Sequence, residues 1–254
     1  ILKIALQYSS SFGGLIQSFP TDENISKSAV MNENITSTKL GLKGSPELAE
    51  IIQISRDLEI LEYAGGRLHI PTISCAKSVE LIRSAKAKGL DVSCSVAIHN
   101  IILKDDDILN YNTNFKVNPP LRTKSSIDSL IEGLKDGTID MVTSDHNPIS
   151  IEDKRVEFDF AKFGTIGLES AFGALNSIFS TKKTIELLTK GKSRFGVNTN
   201  SINVGRWLPQ IIYYFILYKE LKKNGVKSNI SISVPSGNFG NICAGFMAQR
   251  MGLN

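Results

Sequence analysis

Two short runs hold the residue types with which this chain could do chemistry. Asn118-Pro119-Pro120-Leu121-Arg122 places an amide and a guanidinium either side of two prolines, and Ser144-Asp145-His146-Asn147-Pro148 places a carboxylate beside an imidazole. Ile139, Met141 and Val142 ahead of the second run read as a short strand buried in a parallel sheet, so Asp145 follows where that strand ends. A carboxylate in that place can bind a metal ion or take a proton from an attacking water. It can equally cap a turn. Arg122 can grip a ligand carboxylate through two parallel hydrogen bonds, or pair with an acidic residue of the protein beside a rigid Pro-Pro turn. A third run, Ser236-Gly237-Asn238-Phe239-Gly240-Asn241, has glycines that would let backbone N–H groups converge on a phosphate at a helix N-terminus.

The elements that must position these residues alternate between strand and helix. Leu2 to Phe12 reads as a buried helix stopped by Gly13-Gly14, and Leu15–Phe19 as a strand ended by Pro20. The polar span from there to Gly44 has no periodicity and reads as a long loop. Ser45-Pro46-Glu47 predicts a helix start, with Leu48, Ile51, Ile52 and Leu58 at helical spacing as far as Gly65. Strands at 68–73, 92–98 and 139–143 then alternate with helices at 76–88 and 121–135, and helices follow at 167–179 and 181–190. This βαβα order implies a parallel sheet with crossover helices.

Composition narrows the class. In 254 residues the net charge is +4 and the lysines are scattered, in no basic run longer than a pair, so no nucleic-acid footprint is present. Cys75, Cys94 and Cys243 are odd in number and widely spaced, which suggests neither a disulfide framework nor a zinc knuckle and fits a reducing, cytoplasmic setting. The apolar stretch Leu208–Tyr218 is too short and interrupted to span a bilayer, and no signal peptide opens the chain.

Taken together, Asn118–Arg122, Asp145-His146 and Gly167-Leu168-Glu169 resemble the dihydroorotase branch of the cyclic amidohydrolases over roughly residues 1–197. The resemblance implies the later half of a (β/α) barrel, since four strands are read where such a barrel needs eight. Leu15–Phe19 and Ile139–Thr143 would then be open sheet edges. It implies hydrolysis of dihydroorotate to carbamoyl-aspartate, with Asp145 as catalytic and metal-binding carboxylate, Asn118, Arg122 and His146 contacting substrate, zinc as the metal, and an aspartate transcarbamoylase or a second copy as partner. The pattern departs from that family in three places. No His-x-His pair occurs, Thr72 of His69-Ile70-Pro71-Thr72-Ile73-Ser74 stands at a ligand position, and Ile149 replaces the last histidine after Asp145. With His69, His99 and His146 its only histidines, the chain reads as metal-ligand-poor, with His69 a partly buried strand residue and His99 a polar residue at a strand end.

Residues 198–254 resemble threonine synthase, a pyridoxal-phosphate enzyme of the tryptophan-synthase-β-like fold, through Asn200–Arg206, a helix at 208–221, a strand at 230–234 and the Ser236–Asn241 loop. In that family the loop cradles the cofactor phosphate. The resemblance implies at most a phosphate-binding remnant here, because the Schiff-base lysine lies upstream in a region that this chain fills with dihydroorotase-like sequence.

Overall fold

In the computed structural model, residues 1–189, 204–224 and 240–251 are described. Helix α1 (Leu2–Ser10) buries Leu6 and Ser9 and gives way to strand β1 (Leu15–Gln17). The stretch expected to be a plain loop carries structure of its own. Strand β2 (Met31–Asn32) pairs in parallel with β3 (Gly44–Ser45), and helix α2 (Ile35–Leu40) connects them. Its start is fixed by a capping box in which the Asn34 side chain accepts the Ser37 N–H while the Ser37 hydroxyl accepts the Asn34 N–H. Gly41, at φ 67°, closes it in the left-handed region.

Helix α3 (Glu47–Ala64) starts one residue later than Ser45-Pro46 suggests, with Pro46 at the N-cap, and ends at Gly65. There follow strand β4 (Arg67–Ile70), helix α4 (Ala76–Ala87), strand β5 (Val92–Ala97) and the short helix α5 (His99–Ile102). Then come helix α6 (Lys124–Asp136), strand β6 (Met141–Thr143) and helices α7 (Ile151–Lys154), α8 (Ala171–Asn176) and α9 (Thr181–Thr189). Strands β1, β4, β5 and β6 form a parallel sheet in that order, which is also their order in sequence. Among the described residues β1 and β6 are the outer strands, as expected for Leu15–Phe19 and Ile139–Thr143.

All six residues of β5 are buried, consistent with a central strand covered on both faces. The core joins Leu68, Ile70, Val92, Val96 and Val142 of the sheet to Ile54 and Leu61 of α3, Val79 and Ile82 of α4 and Leu130 and Leu134 of α6. Gly133 lets α6 come close: a Cβ there would lie 2.9 Å from Val79 and 3.0 Å from Ile139. Packing divides the chain into two units, Ile1–Gly191 and Lys192–Asn254.

In the second unit the helix Val204–Lys223 packs against the helix Gly240–Arg250 through Ile211, Ala244 and Ala248. The first of these runs longer at both ends than the 208–221 read from the sequence. The expected strand 230–234 and residues Ser236, Gly237, Asn238 and Phe239 of the phosphate loop lie outside the described residues, whereas Gly240 and Asn241 open the last helix.

Candidate functional site

Two residues of the sequence-predicted chemistry, Thr72 and Asp145, stand just beyond strand ends, where parallel α/β sheets place their sites. Beyond β4 lies Thr72, at φ 49°, and beyond β6 lies Asp145, at φ 43°. Left-handed backbone is uncommon for residues other than glycine and an outlier for a β-branched threonine, so packing must hold both. At Thr72 the hold is visible: its N–H donates to Ser95 Oγ at 3.2 Å, while its own buried Oγ1 has no hydrogen-bond partner. The same serine faces His69 Nε2 at 3.3 Å, and Ser93 Oγ sits 2.9 Å from His69 Nδ1. His69 is therefore engaged with hydroxyls of β5, more deeply buried than its sequence context suggested.

His99, at the start of α5, is 5% exposed and its Nε2 lies 3.7 Å from Asp145 Oδ2. That separation is too long for a hydrogen bond. Burial pushes the imidazole down to about 4 and raises the Asp145 carboxyl above the ordinary carboxylate range. At neutral pH the imidazole is neutral, and it stands beside a half-exposed carboxyl group. Gly167 makes room for this turn, because a Cβ there would lie 1.9 Å from the Ser144 carbonyl oxygen. His146 bridges to Thr165 through the backbone, and its buried Nδ1 has no hydrogen-bond partner.

Asn118 is exposed and lines a cavity of about 510 Å³ together with Phe19, Thr21, Lys27, Val117 and Phe163. Asp145 and His146 are not part of that lining. The turn holding Asn118 is tied to the strand ends by Asn100, whose Nδ2 donates to the Pro120 carbonyl at 3.0 Å. Phe163 was missed in the sequence because it falls in an irregular span. The signal available was an aromatic–glycine pair, Phe163-Gly164, shortly before Gly167-Leu168-Glu169.

Arg122 corrects an expectation. Its side chain is 2% exposed and turned into the protein, where Nη1 donates to Asn32 Oδ1 at 2.7 Å and to the Ser45 carbonyl at 2.8 Å. Its Nε donates to Ser74 Oγ at 3.0 Å, and Nη2 lies 3.8 Å from Glu50 Oε2. A guanidinium buried with these partners faces the protein interior and Glu50, not the cavity that Asn118 lines.

The donor set also speaks on zinc. Among the described residues no three histidine, cysteine, aspartate or glutamate side chains gather to hold a metal ion. Thr72 offers a hydroxyl where imidazole would be the better ligand, and His69 is taken by Ser93 and Ser95. Cys75 is buried and its thiol is pushed up by burial and by Glu50, so it is no thiolate ligand. These residues do not fit a zinc centre. No described helix is long and apolar enough to cross a membrane.

Known proteins resemble this chain in sequence and in its α/β fold. A dihydroorotase of Pelotomaculum thermopropionicum is 46% identical over 173 residues, covering 68% of this chain and 40% of the relative. A dihydroorotase of Thermoanaerobacter sp. is 42% identical over 210 residues, covering 82% and 47%. The chain is homologous to dihydroorotases. It spans about half the length of the curated relatives it matches. The solved structure of an L-hydantoinase (dihydropyrimidinase) from Arthrobacter aurescens superposes with a TM-score of 0.66 at 26% identity, over 78% of this chain and 47% of that one. No family model matches the chain.

Proposed function

We propose that this chain supplies the ligand-binding part of a cyclic amidohydrolase acting on dihydroorotate. The observation that supports the reading is identity of 38–46% with proteins named dihydroorotase, over most of the chain's length. Asn118 would hydrogen-bond the ring amide in the cavity. Hydrolysis to carbamoyl-aspartate would need Asp145 as the base that takes a proton from the water attacking the ring carbonyl and returns it to the nitrogen as the C–N bond breaks, yet Asp145 is not part of the lining of the Asn118 cavity, so this chain alone holds the ring apart from that base. His146 shares that turn, outside the cavity lining, and would orient substrate only in a whole enzyme that brings the turn to the ring. Because these residues form no zinc centre, the chain alone is expected to bind dihydroorotate without turning it over. Calorimetric titration tests this: saturable binding that Asn118→Ala weakens by about tenfold or more supports the reading, and no saturable binding overturns it.

Thr72 and Ile149 favour a second reading, a non-catalytic dihydroorotase-like subunit whose partner is an aspartate transcarbamoylase. Sedimentation of the mixed proteins decides it, a stable complex supporting this reading and independent migration refuting it. For residues 198–254 the resemblance to threonine synthase rests on sequence alone, at Asn200–Arg206 and Ser236–Asn241. Saturable pyridoxal phosphate binding abolished by Asn238→Ala would make that loop a working cradle.

A further inference from the structure

Lys116 is among the most deeply buried large side chains of the protein, 2% exposed. Its ammonium donates to the carbonyl of Phe158 at 2.8 Å and to that of Asp159 at 2.9 Å. It also lies 5.6 Å from the ring centroid of Phe158 and 4.9 Å from that of Phe163, a favourable placement over aromatic faces. The main chain adds a third tie between the same segments, since Gly164 N–H donates to the Lys116 carbonyl at 2.9 Å. Burial lowers the ammonium's affinity for its proton, and nearby Asp159 partly offsets this. A buried cation is tolerated only when paired or hydrogen-bonded, and here its donors are spent on fastening residues 158–164 to 116.

The placement matters because of what stands on either side. Val117 and Asn118, immediately after Lys116, line the cavity, and Phe163, immediately before Gly164, lines it from the other segment. We propose that Lys116 is a positioning residue that sets the spacing between the Asn118 wall and the Phe163 wall, and thereby the ring size of the cyclic amide the cavity accepts. This rests on the reading of the cavity as the dihydroorotate site. A buried ammonium bound to two carbonyls resists displacement more than an apolar side chain of equal length, because moving the wall strips those bonds without replacing them.

The test uses the full chain and two isomeric monoanions, dihydroorotate with a six-membered ring and 5-carboxymethylhydantoin with a five-membered one. Wild type is expected to favour dihydroorotate by about tenfold, and Lys116→Met to bring the two within about threefold. Amide exchange at 157–164 should quicken in that variant while β4 and β5 keep their protection. Lys86→Met is the control: it loses bonds to the Thr138 carbonyl and Asp140 on another part of the fold, and should leave the ratio unchanged. Lys116→Gln keeps an uncharged N–H donor on a shorter side chain that cannot hold both carbonyls, and should relax the ratio in the same direction but less, so the inference stays testable if Lys116→Met does not fold. An unchanged ratio in either folded variant, or no preference in wild type, overturns the role of Lys116 and leaves the proposed function standing. Failure of wild type to bind either isomer overturns the ligand reading of the cavity, and the role of Lys116 with it.

Discussion

Arg122 and Glu50 face one another 3.8 Å apart in the interior, both side chains 2% exposed, at the junction of the Asn118 turn and helix α3. Glu50 Oε1 accepts the N–H of Ser74 at 2.8 Å, that of Cys75 at 3.2 Å and the Ser78 hydroxyl at 2.6 Å, and the Ser74 hydroxyl donates to its Oε2. The pair is thus embedded in a set of satisfied donors and acceptors. Removing one member strands the other charge, which costs about 3–5 kcal/mol. Arg122→Met and Glu50→Gln are each expected to lower urea stability by that order, and the double variant by clearly less than the sum. Additive losses would show that the two residues act separately.

Replacing Gly167 by alanine should loosen the turn that holds Asp145. The added Cβ has no place beside the Ser144 carbonyl, so the backbone must shift. Overpacking of this kind costs about 1–3 kcal/mol. The variant should lose stability in that range and show faster amide exchange at 144–147, and an alanine accepted without either change would mean the approach is not tight.

Stability should fall as pH drops through the range in which His99 titrates. In the folded chain burial holds it at about 4, against an ordinary 6.5. The unfolded chain therefore binds the proton first, and the contribution is fully present above about 6.5 and lost progressively as pH falls to about 4. The size is about 3 kcal/mol at most. Urea midpoints from pH 7.5 to 4 should show this slope in wild type and a shallower one in His99→Met. Parallel curves would remove His99 from the account.

Zinc uptake follows from the donor set. With His69 held by Ser93 and Ser95, and Thr72 where a ligand would be needed, equilibrium dialysis should find less than one tight zinc per chain. Stoichiometric, tight zinc would mean that donors beyond those described here converge on the strand ends.

How much of this was legible before the structure depends on whether the signal was local. Helix α3, strand β5 and the outer placement of β1 and β6 follow from periodicity, glycine stops and strand order, all local features. The span from Pro20 to Gly44 was misread because β2 and β3 are two residues each, too short for a period to register. Its one readable mark was the Asn34–Ser37 capping box, with Ser where the usual signature has Glu or Gln. Arg122 was misplaced for a different reason. Its partner Glu50 occupies the buried side of α3, and no hydrophobic pattern announces a buried carboxylate. Asn118 and Asp145 stand out by residue type and by the strand ahead of Asp145, and the resemblance supplies their roles. That one lines the cavity and the other stands apart beside His99 depends on tertiary packing.

The β2–α2–β3 excursion carries a consequence for the order of synthesis. Asn32 is held by Arg122, 90 residues further on, and by Asp105, 73 further on, while Asn34 reaches Asp105 across 71. A ribosome thus completes α3, β4, α4 and β5 before the side chains that fasten residues 31–45 exist. The excursion must wait without these ties while the sheet grows strand by strand beside it; Asp105 supplies the first of them, and Arg122 completes the set when residue 122 emerges. Stalled nascent chains ending before and after that point should then differ in protease sensitivity at 31–45, with the strands protected in both.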